Sequence, residues 1–165
     1  SDFLGASPGV ARVGVAGYPD GHALVDDDVL DDALLAKQAL LDDHGFGGWV
    51  STQMCFDADT TLTWLRRQRD RGLELPVRLG VPGVVDQVRL MKVGARLGVG
   101  ASLRYLAKNR ATVVRLMTPG GYDPTDLVAA IAPHADELGI EGLHSFTFNA
   151  VADTHRWQEA ILTAS

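Results

Sequence analysis

Gln53 lies inside an apolar, strand-favouring stretch, Trp49-Val-Ser-Thr-Gln-Met-Cys-Phe-Asp57. Trp49, Val50, Met54, Cys55 and Phe56 supply residues that a buried strand prefers, so the Gln53 carboxamide must find polar partners there. An amide both donates and accepts, and it can therefore bond the N–C=O edge of a heterocyclic ring, which no aliphatic residue can do. Read alone, the stretch favours a plainer role in satisfying neighbouring backbone. Tyr18 and His22, in Arg12-Val-Gly-Val-Ala-Gly-Tyr-Pro-Asp-Gly-His22, can either offer an aromatic ring and an imidazole to a ligand or pack and cap their turn. His144 reads as a core histidine bonded to a neighbour, Cys55 as a packed thiol, and Asp57 as a helix cap.

These side chains need elements to hold them. A Val/Ala strand at about 12–17 breaks into a Gly/Pro turn, and the strand ending at Asp57 turns polar in the same way. Leu75-Pro-Val-Arg-Leu-Gly-Val-Pro-Gly83 and Gly142-Leu-His-Ser-Phe-Thr-Phe-Asn149 repeat the pattern. Helical spacing predicts a helix from Asp26-Asp27-Asp28 to about Asp43, where the acids complement the helix dipole better than they suggest a metal site. Further helices are predicted at about 59–72, from Val84 to about Leu97, near 103–108 and 112–117, from Asp123-Pro124 to about Leu138 with a kink at Pro133, and at about 152–163. Strands alternating with helices predict βα units and a parallel sheet.

The chain has 165 residues, enough for one domain but short of the ~250 of a closed eightfold barrel. A net charge of −6 gives no broad positive field for nucleic acid, and Arg66-Arg67-Gln68-Arg69 reads as a solvated helix face. One cysteine excludes an internal disulfide and leads us to expect an intracellular, cytoplasmic setting. No apolar run reaches the ~18 residues of a membrane span, so no membrane partner is expected.

Across residues 10 to 155 the chain resembles the methylenetetrahydrofolate reductase family. The matching pieces are Val13-Gly-Val-Ala-Gly-Tyr-Pro-Asp-Gly-His22, Thr52-Gln-Met-Cys-Phe-Asp57, Leu79-Gly-Val-Pro82 and Gly142-Leu-His-Ser-Phe-Thr-Phe-Asn149. The resemblance implies a (β/α)8 TIM barrel, with residues 1–165 as a single unit covering roughly its last four βα units. The missing half is then expected from an upstream segment or from another chain. It also implies that Gln53, Phe148 and Arg89 face the folate, and that Ala16, Tyr18, His22, Asp32, Lys37 and Phe146 line the cofactor side.

The implied reaction reduces methylenetetrahydrofolate with NADH or NADPH, and its general acid is expected upstream of Ser1. FAD is left open, because several positions depart from the family's pattern. The aromatic triplet after the glutamine is Met54-Cys-Phe56, a tyrosine is replaced by Phe146, and an arginine by Ala150. A glutamine and a phenylalanine fall on Arg89 and Val93. Two other readings stay open beside it. One is a barrel half that binds folate or nucleotide without turnover. The other is a different barrel enzyme with a phosphate site built on the Pro82-Gly83 loop and the helix after it.

Overall fold

The computed structural model describes residues 9–22, 24–84 and 123–163. The helices expected at 84–97, 103–108 and 112–117, together with Arg89 and Val93, lie outside the described residues.

Strand β1 (Arg12–Gly17) is followed by helix α1 (Asp27–Asp43), β2 (Gly47–Met54), α2 (Ala58–Asp70) and β3 (Val77–Pro82). After them come α3 (Thr125–Ile131), a 3-10 turn (Ala132–His134), β4 (Ile140–Phe146) and α4 (Val151–Thr163). The strands form one parallel sheet in the order β1-β2-β3-β4. Sequential order in an all-parallel sheet fits consecutive units of a (β/α)8 barrel, whereas a doubly wound sheet reverses its order at a switch point.

Strand alternation explains where the core sits. In β2, Gly48, Val50 and Thr52 are buried, while Trp49 and Ser51 are half-buried and Gln53 is exposed. Val50 joins Val77, Leu79 and Val81 of β3 in one apolar cluster. The same cluster takes in Leu34 and Leu41 of α1, Trp64 and Leu65 of α2, Leu127 and Ile131 of α3, and Trp157 of α4. All the described α-helices therefore cover the same face of the sheet, and each fully buried aliphatic side chain contributes about 1.5–3 kcal/mol. Among the described residues no helix is long and apolar enough to cross a membrane.

The opposite face is polar at the N-terminal ends of the strands. The Arg78 guanidinium lies 4.6 Å and that of Arg12 5.4 Å from the centre of the Trp49 ring. Both arginines pair with Glu141, at 2.6 Å and 3.5 Å, and its hydrogen bond from Arg78 holds that carboxyl below the usual carboxylate range. Trp49 lies against Gly14, where a Cβ would come within 2.8 Å of the ring. Arg78 is thus engaged with Trp49 and Glu141.

Local chemistry sets the helix ends. Asp57 caps α2 by accepting from the Thr60 N–H and hydroxyl, both at 2.9 Å, as its position predicts. Leu62, Leu65 and Gln68 share the buried side of α2, as their spacing predicts. Beyond α2, Gly72 takes φ +95°, which only glycine adopts without strain, and the chain reverses there. The helix expected to run to Leu138 ends at Ile131, because Pro133 has no N–H and tightens the next turn into 3-10 form.

The arginine run on α2 is a solvated face at Arg66 and Arg67, as its sequence suggests, but not at Gln68 and Arg69. Arg69 turns inward and donates to the carbonyls of Leu73 at 2.6 Å, Leu75 at 3.0 Å and Leu138 at 2.8 Å. It ties the loop before β3 to the turn before β4. Arg67 reaches Asp31 of α1 at 3.0 Å, and Arg71 reaches the same carboxylate at 3.2 Å. Asp31 is 2% exposed, and its other oxygen accepts from Gln68 at 2.6 Å. A buried carboxylate with three donors from α2 and its C-cap fixes α1 against α2.

Asp31→Ala removes that acceptor while the two guanidiniums can still reach water, so we expect a loss of about 2–3 kcal/mol. Urea unfolding followed by circular dichroism measures it, and Asp31→Asn, which keeps an acceptor for Gln68, falls between the two.

Candidate functional site

In a parallel sheet all strands end on one edge, which here gathers Gly17, Met54, Pro82 and Phe146. Three strand spacings of ~4.8 Å put β1 and β4 about 14 Å apart along that edge. Gln53 lies at it, one residue before the end of β2. The alternation that buries Thr52 brings Gln53 out on the face away from the helices, exposed.

The backbone beneath Gln53 is irregular. Ser51 pairs with Arg78 and Met54 with Gly80, so three steps along β2 match two along β3. The extra residue is a β-bulge at Thr52–Gln53, a device that re-aims a side chain. The Thr52 hydroxyl accepts from the Gly80 N–H at 2.8 Å and donates to the Gln53 carbonyl at 2.9 Å. The Cys55 thiol reaches the same carbonyl at 3.4 Å, and the Cys55 N–H donates to the Gly80 carbonyl at 2.8 Å. A Cβ on Gly80 would stand 2.5 Å from the Thr52 oxygen and 2.8 Å from the Gln53 oxygen, so only glycine fits. Sequence reasoning did not single out Thr52 or Gly80 for the site. The available signal was a glycine between Leu79 and Val81, inside an otherwise apolar strand.

His144 of β4 is in register with Gly80, and its Nε2 lies 2.9 Å from the Thr52 carbonyl. The expected neighbour-bonded histidine is found, although it stands half-buried on the face away from the helices. Its chain neighbour Ser145 faces the other way, accepting from Gln158 of α4 at 3.2 Å. Phe146 packs against the His144 ring with centroids 5.0 Å apart. Beyond it, Phe148 and Asn149 both take positive φ, 48° and 63°, a conformation that strains a bulky residue by of order 1–3 kcal/mol. The Ala150 N–H closes this turn on the Thr147 carbonyl at 2.7 Å.

At the other end of the edge, Tyr18 and His22 meet edge to face, with ring centroids 5.7 Å apart. The Gly21 N–H donates to the Tyr18 carbonyl at 3.0 Å and closes the turn that brings them together. His22 Nδ1 accepts from the Leu24 N–H at 3.2 Å, so the neutral ring carries its proton on Nε2. Ala16 is half-buried and in register with Ser51.

Asp32 and Lys37 are placed elsewhere. Helix α1 runs away from this edge, so at ~1.5 Å per residue they stand ~7.5 and ~15 Å beyond Asp27 along its axis. Asp32 pairs with Arg71, at the end of α2 far from the edge. Arg89 lies outside the described residues. At the Pro82-Gly83 loop the Gly83 N–H donates to the Phe146 carbonyl at 3.0 Å, and the helix expected after it lies outside the described residues. Cys55 is fully buried and burial pushes its thiol up to about 12, so it is no nucleophile at neutral pH.

No family model matches the chain. Over 74 residues, 44% of the chain, it is 36% identical to methylenetetrahydrofolate reductase 2 of Saccharomyces cerevisiae. Over 69 residues, 42% of the chain, it is 30% identical to methylenetetrahydrofolate reductase 1 of Schizosaccharomyces pombe. The matched stretch is 11% of the length of each of these relatives. The likeness is partial on both sides.

Two outcomes follow from the bulge. Gly80→Ala forces the Thr52 and Gln53 carbonyls apart, and we expect a loss of about 2 kcal/mol or more, read by thermal unfolding. Cys55 should resist a thiol reagent at pH 8 in the native protein and react within seconds in urea. The unfolded thiol ionises near its ordinary 9.0 and the folded one near 12. The stability it contributes is therefore intact below pH 9 and falls as pH rises from 9 towards 12.

Proposed function

We propose that the chain is the C-terminal half of a (β/α)8 barrel that orients a reduced folate for hydride transfer. The complete protein, with its other half from upstream sequence or another chain, then reduces 5,10-methylenetetrahydrofolate to 5-methyltetrahydrofolate. One observation carries the reading: an exposed carboxamide, Gln53, stands at the C-terminal edge of a sequentially ordered parallel sheet. The partial likeness to proteins named methylenetetrahydrofolate reductase supports it from a separate direction.

In this reaction the bond between the bridging carbon and N10 breaks, leaving a cationic iminium at N5 and an N10 that takes a proton. NADH or NADPH then gives a hydride from its nicotinamide to the bridging carbon. Gln53 contributes by bonding the pterin's N–C=O edge, and Phe148 supplies apolar surface beside it, joined in this reading by Phe146, which the resemblance put on the cofactor side. Tyr18 and His22 form the far wall, against which the nicotinamide rests. Holding donor and acceptor carbons in near-attack geometry contributes up to ~7–11 kcal/mol, so these residues matter without doing the proton chemistry. The proton donor belongs to the other half of the barrel.

A flavin is less well served. The acid and lysine that would hold its ribityl-phosphate portion correspond to Asp32, which is engaged with Arg71, and to Lys37, farther still along α1. We therefore read the hydride as passing directly from nicotinamide to folate, with both ligands in one cavity.

The test is NADH oxidation by the purified full-length protein with methylenetetrahydrofolate, alongside its visible spectrum. A colourless protein with substrate-dependent turnover is expected, and Gln53→Ala should raise KM for the folate about 10- to 100-fold, leaving that for NADH unchanged. A yellow flavin band would overturn direct transfer. Folate binding without turnover would make this a binding module instead.

A further inference from the structure

Gln53 owes its position to a bulge, and the bulge is held from two strands away. His144 belongs to β4 and the Thr52 carbonyl to β2, yet the imidazole Nε2 and that oxygen are 2.9 Å apart. Between them lies β3, where the residue in register with His144 is Gly80. A side chain there would occupy the path of the ring and would also strike the Phe146 ring, 2.8 Å from the position of such a Cβ. The bare glycine opens the passage, and Phe146, tilted at 53° against the imidazole, limits its rotation. A carbonyl oxygen only accepts, so Nε2 carries the proton and the tautomer is fixed.

The other supports of the bulge come from β2, β3 and Cys55 just after β2: the Thr52 hydroxyl, which also accepts from the Gly80 N–H, and the Cys55 thiol and N–H. Among the described residues His144 is the hydrogen-bonding side chain that ties it to β4, the strand that carries Phe146 and leads to Phe148. We propose that His144 is a positioning residue for folate: by donating from Nε2 across Gly80 to the Thr52 carbonyl, it fixes the angle of Gln53 relative to the apolar surface of β4. This rests on the folate reading of the site. His144 itself touches neither ligand in this scheme and transfers no proton.

The experiment compares His144→Phe, which keeps a ring against Phe146 but has no donor, with His144→Gln, whose amide can donate. Dissociation constants for 5-methyltetrahydrofolate are measured by calorimetry on the full-length protein. We expect His144→Phe to weaken binding about tenfold, His144→Gln to stay within about twofold, and KM for NADH to hold in both. In a Gln53→Ala background, His144→Phe should cost nothing further, because its effect passes through the missing carboxamide. An equal loss in both backgrounds, or none in either, overturns the proposal.

If the wild-type protein binds no folate, the proposed function fails and the folate role of His144 fails with it. The clasp is then judged separately by backbone amide chemical shifts. His144→Phe should move those of Gln53 and Met54 and His144→Gln should restore them, and shifts confined to β4 would overturn the clasp as well.

Discussion

The absent side chain at Gly80 is the constraint on which the site's geometry depends. Three strands meet there, and the Thr52 and Gln53 carbonyls of β2 and the Phe146 ring of β4 all lie within 2.8 Å of where a Cβ would stand. A Cβ at that point would push back the bulge, and without the bulge Gln53 would leave β2 at a different angle. The Thr52 hydroxyl meets the same crowding by serving as acceptor for one strand and donor to the other. The polar groups of the irregular ladder are thereby partnered with protein.

Around that point the two faces of the sheet do different work. One is sealed by α1 to α4 through a continuous apolar cluster, which fixes strand order and register. The other carries Arg12, Trp49, Arg78 and Glu141 at the N-terminal ends of the strands, and an amide, an imidazole and aromatic rings towards the C-terminal ends. At the charged end two guanidiniums share one carboxylate and one indole face. The other end has an exposed amide and a pair of strained backbone residues, the usual features of a surface that meets a ligand.

The reading of a folate site joins two independent kinds of support. The fold supplies an edge that carries Tyr18, Gln53 and Phe146, and the partial likeness to two proteins named as reductases suggests the chemistry we propose for it. Neither reaches the proton donor, which this scheme assigns to the other half of the barrel. Positioning and proton transfer would then sit on opposite halves of one enclosure.

Much of the fold was legible in the sequence, because it rests on periodicity. Alternation in Trp49–Met54 and helical spacing in Leu62, Leu65 and Gln68 are properties of the chain itself, and so is the cap at Asp57. The pairing of Tyr18 with His22 was offered by their shared turn, and the burial of Cys55 by its apolar neighbours. What the sequence could not decide depends on contacts between distant elements. Arg69 looks like part of a surface charge run until the turn near Leu138, 69 residues away, supplies its acceptors. Gln68 finds Asp31, 37 residues away, and His144 finds the Thr52 carbonyl, 92 residues away. A hydrogen bond across such a separation is fixed by strand register and helix packing, and register is a collective property of the sheet that no local pattern encodes.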